Sequence, residues 1–231
     1  MSIAQNFPTI KPSLMLDFAN TGLLDPRVTF ARATTATYYD GQTVAKAEEN
    51  LLTYSQEFDV IPWNVIAGVS ITANSTTAPD GTNTADTLIG DGTSSIKRVS
   101  QSVTPNGACV LSCFVKKDTN DFVQFYFSGD SFSFVNFNVN TGVVGTTGGT
   151  VTASIVDVGN GWYRCIAVNT STAVTAVAIN LVDSSSASRA QTTTLSTSVF
   201  LWGAQLEQRD AVTAYTPTTT QPVTNYTPTL L

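Results

Sequence analysis

Val151-Thr152-Ala153-Ser154-Ile155-Val156-Asp157-Val158, Gly159-Asn160-Gly161 and Trp162-Tyr163-Arg164-Cys165-Ile166-Ala167-Val168 decide the fold. Two runs rich in β-branched and aromatic residues flank a segment whose glycines and asparagine tolerate positive φ, which is a strong hairpin signal. The same pattern extends outward in both directions. Toward the N-terminus, residues 131–139 alternate, with Phe132, Phe134, Asn136 and Asn138 on one face and Ser133, Val135, Phe137 and Val139 on the other. Before them, Asp118-Thr119-Asn120-Asp121 turns the chain into Phe122-Val123-Gln124-Phe125-Tyr126-Phe127, and residues 94–103 and 108–117 are strands around a Pro105-Asn106-Gly107 turn. Toward the C-terminus, residues 173–182 and 198–207 complete the set, and Leu51-Leu52-Thr53-Tyr54 is strand-like too. Gly142 to Thr150 reads as a Gly/Thr hairpin or loop, and Ala45-Lys46-Ala47-Glu48-Glu49-Asn50 is a single helical turn too short to stand alone. Short strands with turns between them predict a two-sheet antiparallel sandwich or jelly roll.

Composition agrees with this. Of 231 residues, 37 are Thr, 15 Gly and 12 Phe, and only 12% are charged, about half the usual share. The absence of histidine excludes a Ser-His-Asp triad, a Cys-His pair and His-ligated zinc or iron. A net charge of −6 argues against a nucleic-acid partner. No apolar run approaches the roughly 20 residues that cross a bilayer, and Met1-Ser2-Ile3-Ala4-Gln5-Asn6 does not have the make-up of a secretory signal. Cys109, Cys113 and Cys165 have no metal-ligand spacing and read as small buried residues in a reducing cytosol, with a disulfide the less favoured alternative. Gly145-Thr146-Thr147-Gly148-Gly149 lacks the Lys-Ser/Thr ending of a phosphate loop. The glutamates are Glu48, Glu49, Glu57 and Glu207, the aspartates lie mostly in turn sequences, and no pair stands out as a glycosidase acid and base.

The expected organisation is an N-terminal arm with short strands over 1–50, including one at Ser13-Leu14-Met15-Leu16-Asp17-Phe18, then a sandwich over 51–214. A Pro/Thr-rich extended tail over 215–231 follows, carrying Pro217, Pro222 and Pro228. Arm and tail are expected to pack on the sandwich or on a neighbour.

Three segments carry a resemblance. They are Asn50-Leu51-Leu52-Thr53-Tyr54-Ser55-Gln56-Glu57-Phe58 with Trp63, Ile71-Thr72-Ala73-Asn74 and Ala78-Pro79-Asp80-Gly81-Thr82; then Gly161-Trp162-Tyr163-Arg164; then Val199-Phe200-Leu201-Trp202-Gly203-Ala204-Gln205-Leu206-Glu207 with Ala214-Tyr215-Thr216-Pro217-Thr218. Together they resemble the carbohydrate-binding-module-like β-sandwich domains of tailed-phage structural proteins, and 24–33 resembles the segment that often precedes such domains. The layout is also similar to jelly-roll, galactose-binding-like sugar modules of polysaccharide-degrading enzymes. The resemblance implies a non-catalytic virion protein, made in the host cytoplasm and exposed on the particle as capsid decoration, head fibre or tail component. Its implied partners are other virion proteins, a second or third copy of itself, and host-surface polysaccharide, with no nucleic acid and no membrane insertion. The alternatives are a purely structural cement or spike protein, and a secreted bacterial lectin-like module. Such modules often hold a structural calcium, for which Asp80, Glu57 and Asp59 are the candidate oxygen ligands, although Leu201-Trp202-Gly203-Ala204 stands where the usual acid would fall.

A sugar site needs a flat aromatic face and nearby amides. The candidate platform is Tyr126 beside Gln124 and Phe122 on one strand, facing Asn136 and Asn138 on the next. The competing reading makes the amides solvent-facing and the rings core or subunit interface. Trp63, Trp162 and Trp202 are expected to anchor the core, each with one partner for its indole N–H. Arg164 is expected to pair with an acid across the sheet.

Overall fold

The computed structural model describes residues 49–66 and 68–224. Among the described residues thirteen strands run in the order β1 (Asn64–Val65), β2 (Val69–Thr76), β3 (Ala85–Gly90), β4 (Ser95–Ser102), β5 (Cys109–Lys117), β6 (Phe122–Ser128), β7 (Phe134–Asn138), β8 (Val143–Gly148), β9 (Val151–Gly159), β10 (Trp162–Asn169), β11 (Ala176–Leu181), β12 (Thr192–Thr193) and β13 (Ser198–Glu207). They form two sheets. One is ordered β1-β4-β11-β6-β7-β8 with β12 paired to β4, and the other β2-β3-β13-β5-β10-β9. Every paired register is antiparallel, and no helix occurs among the described residues. The expected class, an all-β antiparallel sandwich, is the one observed.

Alternation explains the packing. Val123, Phe125 and Phe127 of β6, Val135 and Phe137 of β7, and Val177, Ile179 and Leu181 of β11 point inward. They meet Leu111, Cys113 and Val115 of β5, Cys165 and Ala167 of β10, and Val199 and Leu201 of β13. Phe125 and Phe137 pack edge to face at 5.1 Å. Phe125, Phe127 and Phe137 are each fully buried, worth about 1.5–3 kcal/mol apiece. The β9–β10 turn takes the conformation its residues favour, with positive φ at Gly159, Asn160 and Gly161. Within β13 the inward set steps from Val199 and Leu201 to Ala204 and Leu206, because a register shift falls between Trp202 and Gln205. Gly203 sits there at φ 62° with Phe114 and Tyr215 close against it. A side chain would strain the backbone and crowd both rings.

Two expectations are corrected. Residues 51–54 form no strand; Asn50 makes an isolated antiparallel bridge with Val223, and Tyr54 has φ 49°. Their backbone partners come instead from the chain's other end, with Leu51 N–H bonded to Leu206, Tyr54 N–H to Thr219 and Ser55 N–H to Thr218. Residues 143–148, read as hairpin or loop, are the edge strand β8. The arm over 1–48, with its expected strand at 13–18 and most of the helical turn, and the tail beyond 224 lie outside the described residues.

Residues 216–223 cross the sandwich as a strap. Asn50 ties it down from a fully buried position: Nδ2 donates to Ala204 and Thr216 carbonyls at 3.0 Å each, and Oδ1 accepts from Leu52 and Leu206 N–H at 3.1 Å each. Thr218 Oγ1 donates to Leu52 O at 2.7 Å, and its N–H to Ser55 Oγ at 2.9 Å. Proline denies this segment a continuous sheet ladder, so the Asn50, Ser55 and Gln205 side chains join a few backbone bonds in supplying its partners.

The three tryptophans are buried, and each indole N–H is satisfied: Trp63 by Tyr54 O at 2.9 Å, Trp162 by Thr77 O at 3.1 Å, and Trp202 by Thr84 Oγ1 at 3.0 Å. Arg164 donates to Thr213 O and Ser112 Oγ and lies over the Phe114 ring, with Glu207 near enough to favour its charge. Cys109, Cys113 and Cys165 are free and buried. Burial pushes the Cys109 thiol up to about 12 and the other two further in the same direction, so none is a thiolate near neutral pH.

Candidate functional site

The outer face of the β4-containing sheet is polar in an ordered way. Register places Arg98 of β4 opposite Asn180 of β11, Asn180 opposite Gln124 of β6, and Gln124 opposite Asn136 of β7. One residue pair along, Ser100, Ala178, Tyr126 and Phe134 form the neighbouring row. All eight alternate with core residues, so the sequence pattern that builds the core also builds this face.

All five expected platform residues lie on this face, but most of their polar groups are already committed. The segment following β11 folds back over the face. Gln124 Nε2 donates to Asn136 Oδ1 at 2.8 Å and to Ser188 O at 2.9 Å, and its Oε1 accepts from Ala190 N–H at 2.7 Å. Asn136 Nδ2 donates to Ser185 O at 3.2 Å and Ala187 O at 2.8 Å. Gln124 and Asn136 are fully buried beneath that loop. A loop crossing a sheet buries its own backbone amides, and side-chain amides with a donor and an acceptor each are suited to pair with them. Asn138 Oδ1 accepts from Asn140 and Thr141 N–H, capping the turn into β8. Phe122 is half-buried at the end of the face. Tyr126 is 2% exposed, so its ring offers no stacking surface.

What covers Tyr126 was not visible in the sequence. Arg98 and Arg189 both lie against its ring, with guanidinium carbons 5.6 and 4.7 Å from the centroid. Arg98 Nη1 donates to the Tyr126 hydroxyl, and Arg189 Nη2 donates to Phe127 O at 2.9 Å. Both arginines are half-buried, and neither is in an ion pair among the described residues. Burial and the neighbouring Arg189 charge both disfavour the charged form of Arg98. Arg189 is likewise disfavoured by burial, with Asp130 partly restoring its charge. The Nε atoms of both arginines and Oδ1 of the fully buried Asn180 are enclosed without a hydrogen-bond partner. Arg98 was within reach of sequence reasoning, since strand alternation puts it on this face. Arg189 stands in a Ser/Ala loop with no periodicity to place it.

The acids proposed for calcium do not converge on a metal-type cluster. Asp80 Oδ1 accepts from the N–H and Oγ1 of Thr82 in its own turn. Glu57 and Asp59 are exposed and near Asp86. Asp86 is buried, and its two oxygens accept from Phe58 N–H at 2.8 Å and Asn74 N–H at 2.9 Å. Burial, reinforced by the Asp59 and Glu57 charges, pushes its carboxyl up to about 6. No group of three or more metal-ligating side chains occurs among the described residues.

By fold the chain is an all-β antiparallel two-sheet sandwich. No family model matches it, and no curated protein does. Among solved structures it is similar to the enzymatically active domain of tailspike protein 4 of bacteriophage CBA120, at 12% identity and a TM-score of 0.39, over 68% of this chain and 21% of that one. It is also similar to a carbohydrate-binding module with specific mannan recognition, TmCBM27, at 14% identity and a TM-score of 0.33, over 70% of this chain and 96% of that one. Neither likeness is close enough to pair residues between the chains.

Proposed function

We propose that this chain is a non-catalytic phage virion protein that displays a sugar-binding-type sandwich for weak, multivalent attachment to host-surface glycans. The observation that carries the glycan part is the Arg98–Tyr126–Arg189 patch, where two half-buried guanidiniums and the Tyr126 hydroxyl lie together on one sheet face and neither arginine is in an ion pair among the described residues. Hydroxyl-rich ligands are recognised by such convergent donors and acceptors. The virion part is supported by the sequence resemblance across most of the chain. The absence of histidine and the buried, raised thiols support a non-catalytic role.

Affinity per copy is modest in this reading. A millimolar site is worth only about −4.1 kcal/mol, and many copies on one particle raise the effective affinity by about 10²–10⁴. The test is binding of bead-displayed protein to an array of bacterial surface polysaccharides. Retention that falls on Tyr126→Phe, which keeps the ring but removes the hydroxyl held by Arg98, supports the proposal. Absence of retention at any bead density overturns it.

A second reading, structural cement or spike, is favoured by apolar side chains on the two edge strands. Val143 of β8 and Val156 and Val158 of β9 are exposed, and exposed edge valines suit strand-to-strand association. Light scattering at increasing concentration separates a stable oligomer through this edge from a monomer.

A further inference from the structure

We infer that β9 is a pairing edge for a second copy of this chain: two β9 strands associate antiparallel about a two-fold axis at Ile155, joining two six-stranded sheets into one. This gives a partner, a symmetry and a register to the edge association of the second reading, and it rests on that reading rather than on glycan binding.

The first ground is that β9 is open where the other sheet edges are closed or interrupted. Among the described residues β1 and β12, of two residues each, cap β4. In β8 the Thr146 N–H is taken by Ser185 O at 2.8 Å. In β2 the register shifts between Thr72 and Thr76, and Asn74 stands there at φ 51°. Its N–H donates to Asp86 Oδ1 at 2.9 Å, and its C=O accepts from Asn83 Nδ2 at 3.0 Å. By contrast β9 runs nine residues with no proline or lysine to guard it. Among the described residues its outer edge makes no backbone bond. Such an edge presents unpaired N–H and C=O groups along its length, ready for another strand.

The second ground is the surface of the strand. Val156 and Val158 are 48% and 41% exposed, and Thr152 and Ser154 beside them are exposed and uncharged. The one charged residue of β9 is Asp157, and its Oδ1 already accepts from Gly159 N–H at 2.8 Å in its own hairpin.

Symmetry is the third ground, and it sets the register. Ala153 and Ile155 pack against the core, as does Tyr163, the partner of Asp157 across the hairpin. Ser154 and Val156 therefore face the other way. A sheet continued across two copies sets inward residues opposite inward ones, so the axis passes through a residue and not between two. At Val156 the axis leaves the two Asp157 positions about 7 Å apart along the strands, inside the screening length of about 8 Å. At Ser154 it leaves Val158 beyond the end of the partner's β9. At Ile155 the two Asp157 positions are about 14 Å apart along the strands, with Asp157 opposite Ala153 and Val156 opposite Ser154. Because the far edge of the same sheet is the interrupted β2, pairing closes at two copies and does not grow into a fibre. One strand pair is a small interface, so the dimer is concentration-dependent.

The experiment is sedimentation velocity on the full chain over a range of concentrations, with cysteine crosslinking to read the register. A monomer–dimer equilibrium is expected. Val156→Lys, a change at an exposed position, weakens it about tenfold or more, and Ser70→Lys on β2 leaves it unchanged. Opposed residues of such a pair lie within disulfide reach, about 4.5–5.5 Å between Cα atoms. The double variant Ser154→Cys, Val156→Cys is therefore expected to form a covalent dimer on mild oxidation, while either single variant does not. The native thiols are buried and do not compete. A monomer at every concentration overturns both this inference and the edge association of the second reading, and leaves the glycan reading standing. A dimer untouched by Val156→Lys overturns β9 as the interface and leaves the second reading to another surface. A covalent dimer from a single variant overturns the axis at Ile155, and assembly beyond two copies overturns the closed symmetry. If the cysteine variants do not fold, the sedimentation of Val156→Lys decides.

Discussion

Gln124→Ala tests how the loop that carries Arg189 is held. In the native chain Gln124 gives that loop two hydrogen bonds, to Ser188 O at 2.9 Å and from Ala190 N–H at 2.7 Å. Each contributes a net of about 0.5–1.5 kcal/mol, so their joint loss weakens the closed loop by about 2 kcal/mol. At about 1.4 kcal/mol per factor of ten, the open form becomes roughly thirtyfold more populated. The variant also takes the donor from Asn136 Oδ1 and the acceptor from Asn180 Nδ2, so part of the loss falls on the sheet beneath the loop. The two bonds from Asn136 to Ser185 and Ala187 remain, so opening concentrates between residues 188 and 191. Native-state hydrogen exchange reads this directly. The Ala190 amide is expected to exchange about thirtyfold faster in Gln124→Ala. Saccharide retention should fall with it, because Arg189 is no longer held against Tyr126. An Ala190 amide that exchanges at the wild-type rate in the variant would refute this account of the loop.

Three other outcomes are expected. Asn50→Ala removes the partner of four backbone groups, the N–H of Leu52 and Leu206 and the C=O of Ala204 and Thr216; at about 1 kcal/mol each at the low end, stability falls by about 4 kcal/mol. With an m-value of about 2–3 kcal/mol/M the urea midpoint drops by about 1–2 M, and an unchanged midpoint would exclude the strap as a structural element. Asp86 holds its proton to about pH 6 when folded, against an ordinary 3.8, so between these values the folded state binds more protons than the unfolded one. Its contribution is therefore complete below about pH 4 and declines as pH rises to about 6; the stability difference between wild type and Asp86→Asn should be larger at pH 4 than at pH 7 in urea melts, and a constant difference would contradict the raised carboxyl. Cys109, Cys113 and Cys165 are buried thiols with raised pKa values, so a water-soluble disulfide reagent should label none of them in the native chain at pH 8 and all of them in urea. Labelling under native conditions would place a thiol at the surface.

Much of the sandwich was legible because its long strands obey period two. Residues 122–127 and 131–139 put Val123, Phe125, Val135 and Phe137 on one side in the sequence and in the core of the fold. The hairpin at Gly159-Asn160-Gly161 was legible because its turn demands φ values that only such residues adopt cheaply. Strand β8 was not, since an edge strand of Val, Gly and Thr has one paired side and no alternation to display. Leu51–Tyr54 looked like a strand and is not, because its backbone groups are divided among β13, the Gln101 side chain and the strap over 216–223.

The candidate site divides in the same way. Strand alternation alone placed Gln124, Tyr126 and Asn136 on one outward face, a consequence of local backbone geometry. Whether that face is open depended on contacts made across more than 60 residues of chain, from Gln124 to Ser188 and from Arg189 to Phe127. Loop docking is set by where backbone amides find partners in three dimensions, and no spacing in the sequence encodes it. The one-dimensional pattern therefore determined the two layers and their inward residues. Only the tertiary structure decided that the amides clasp a loop, and that two arginines lie against the tyrosine ring.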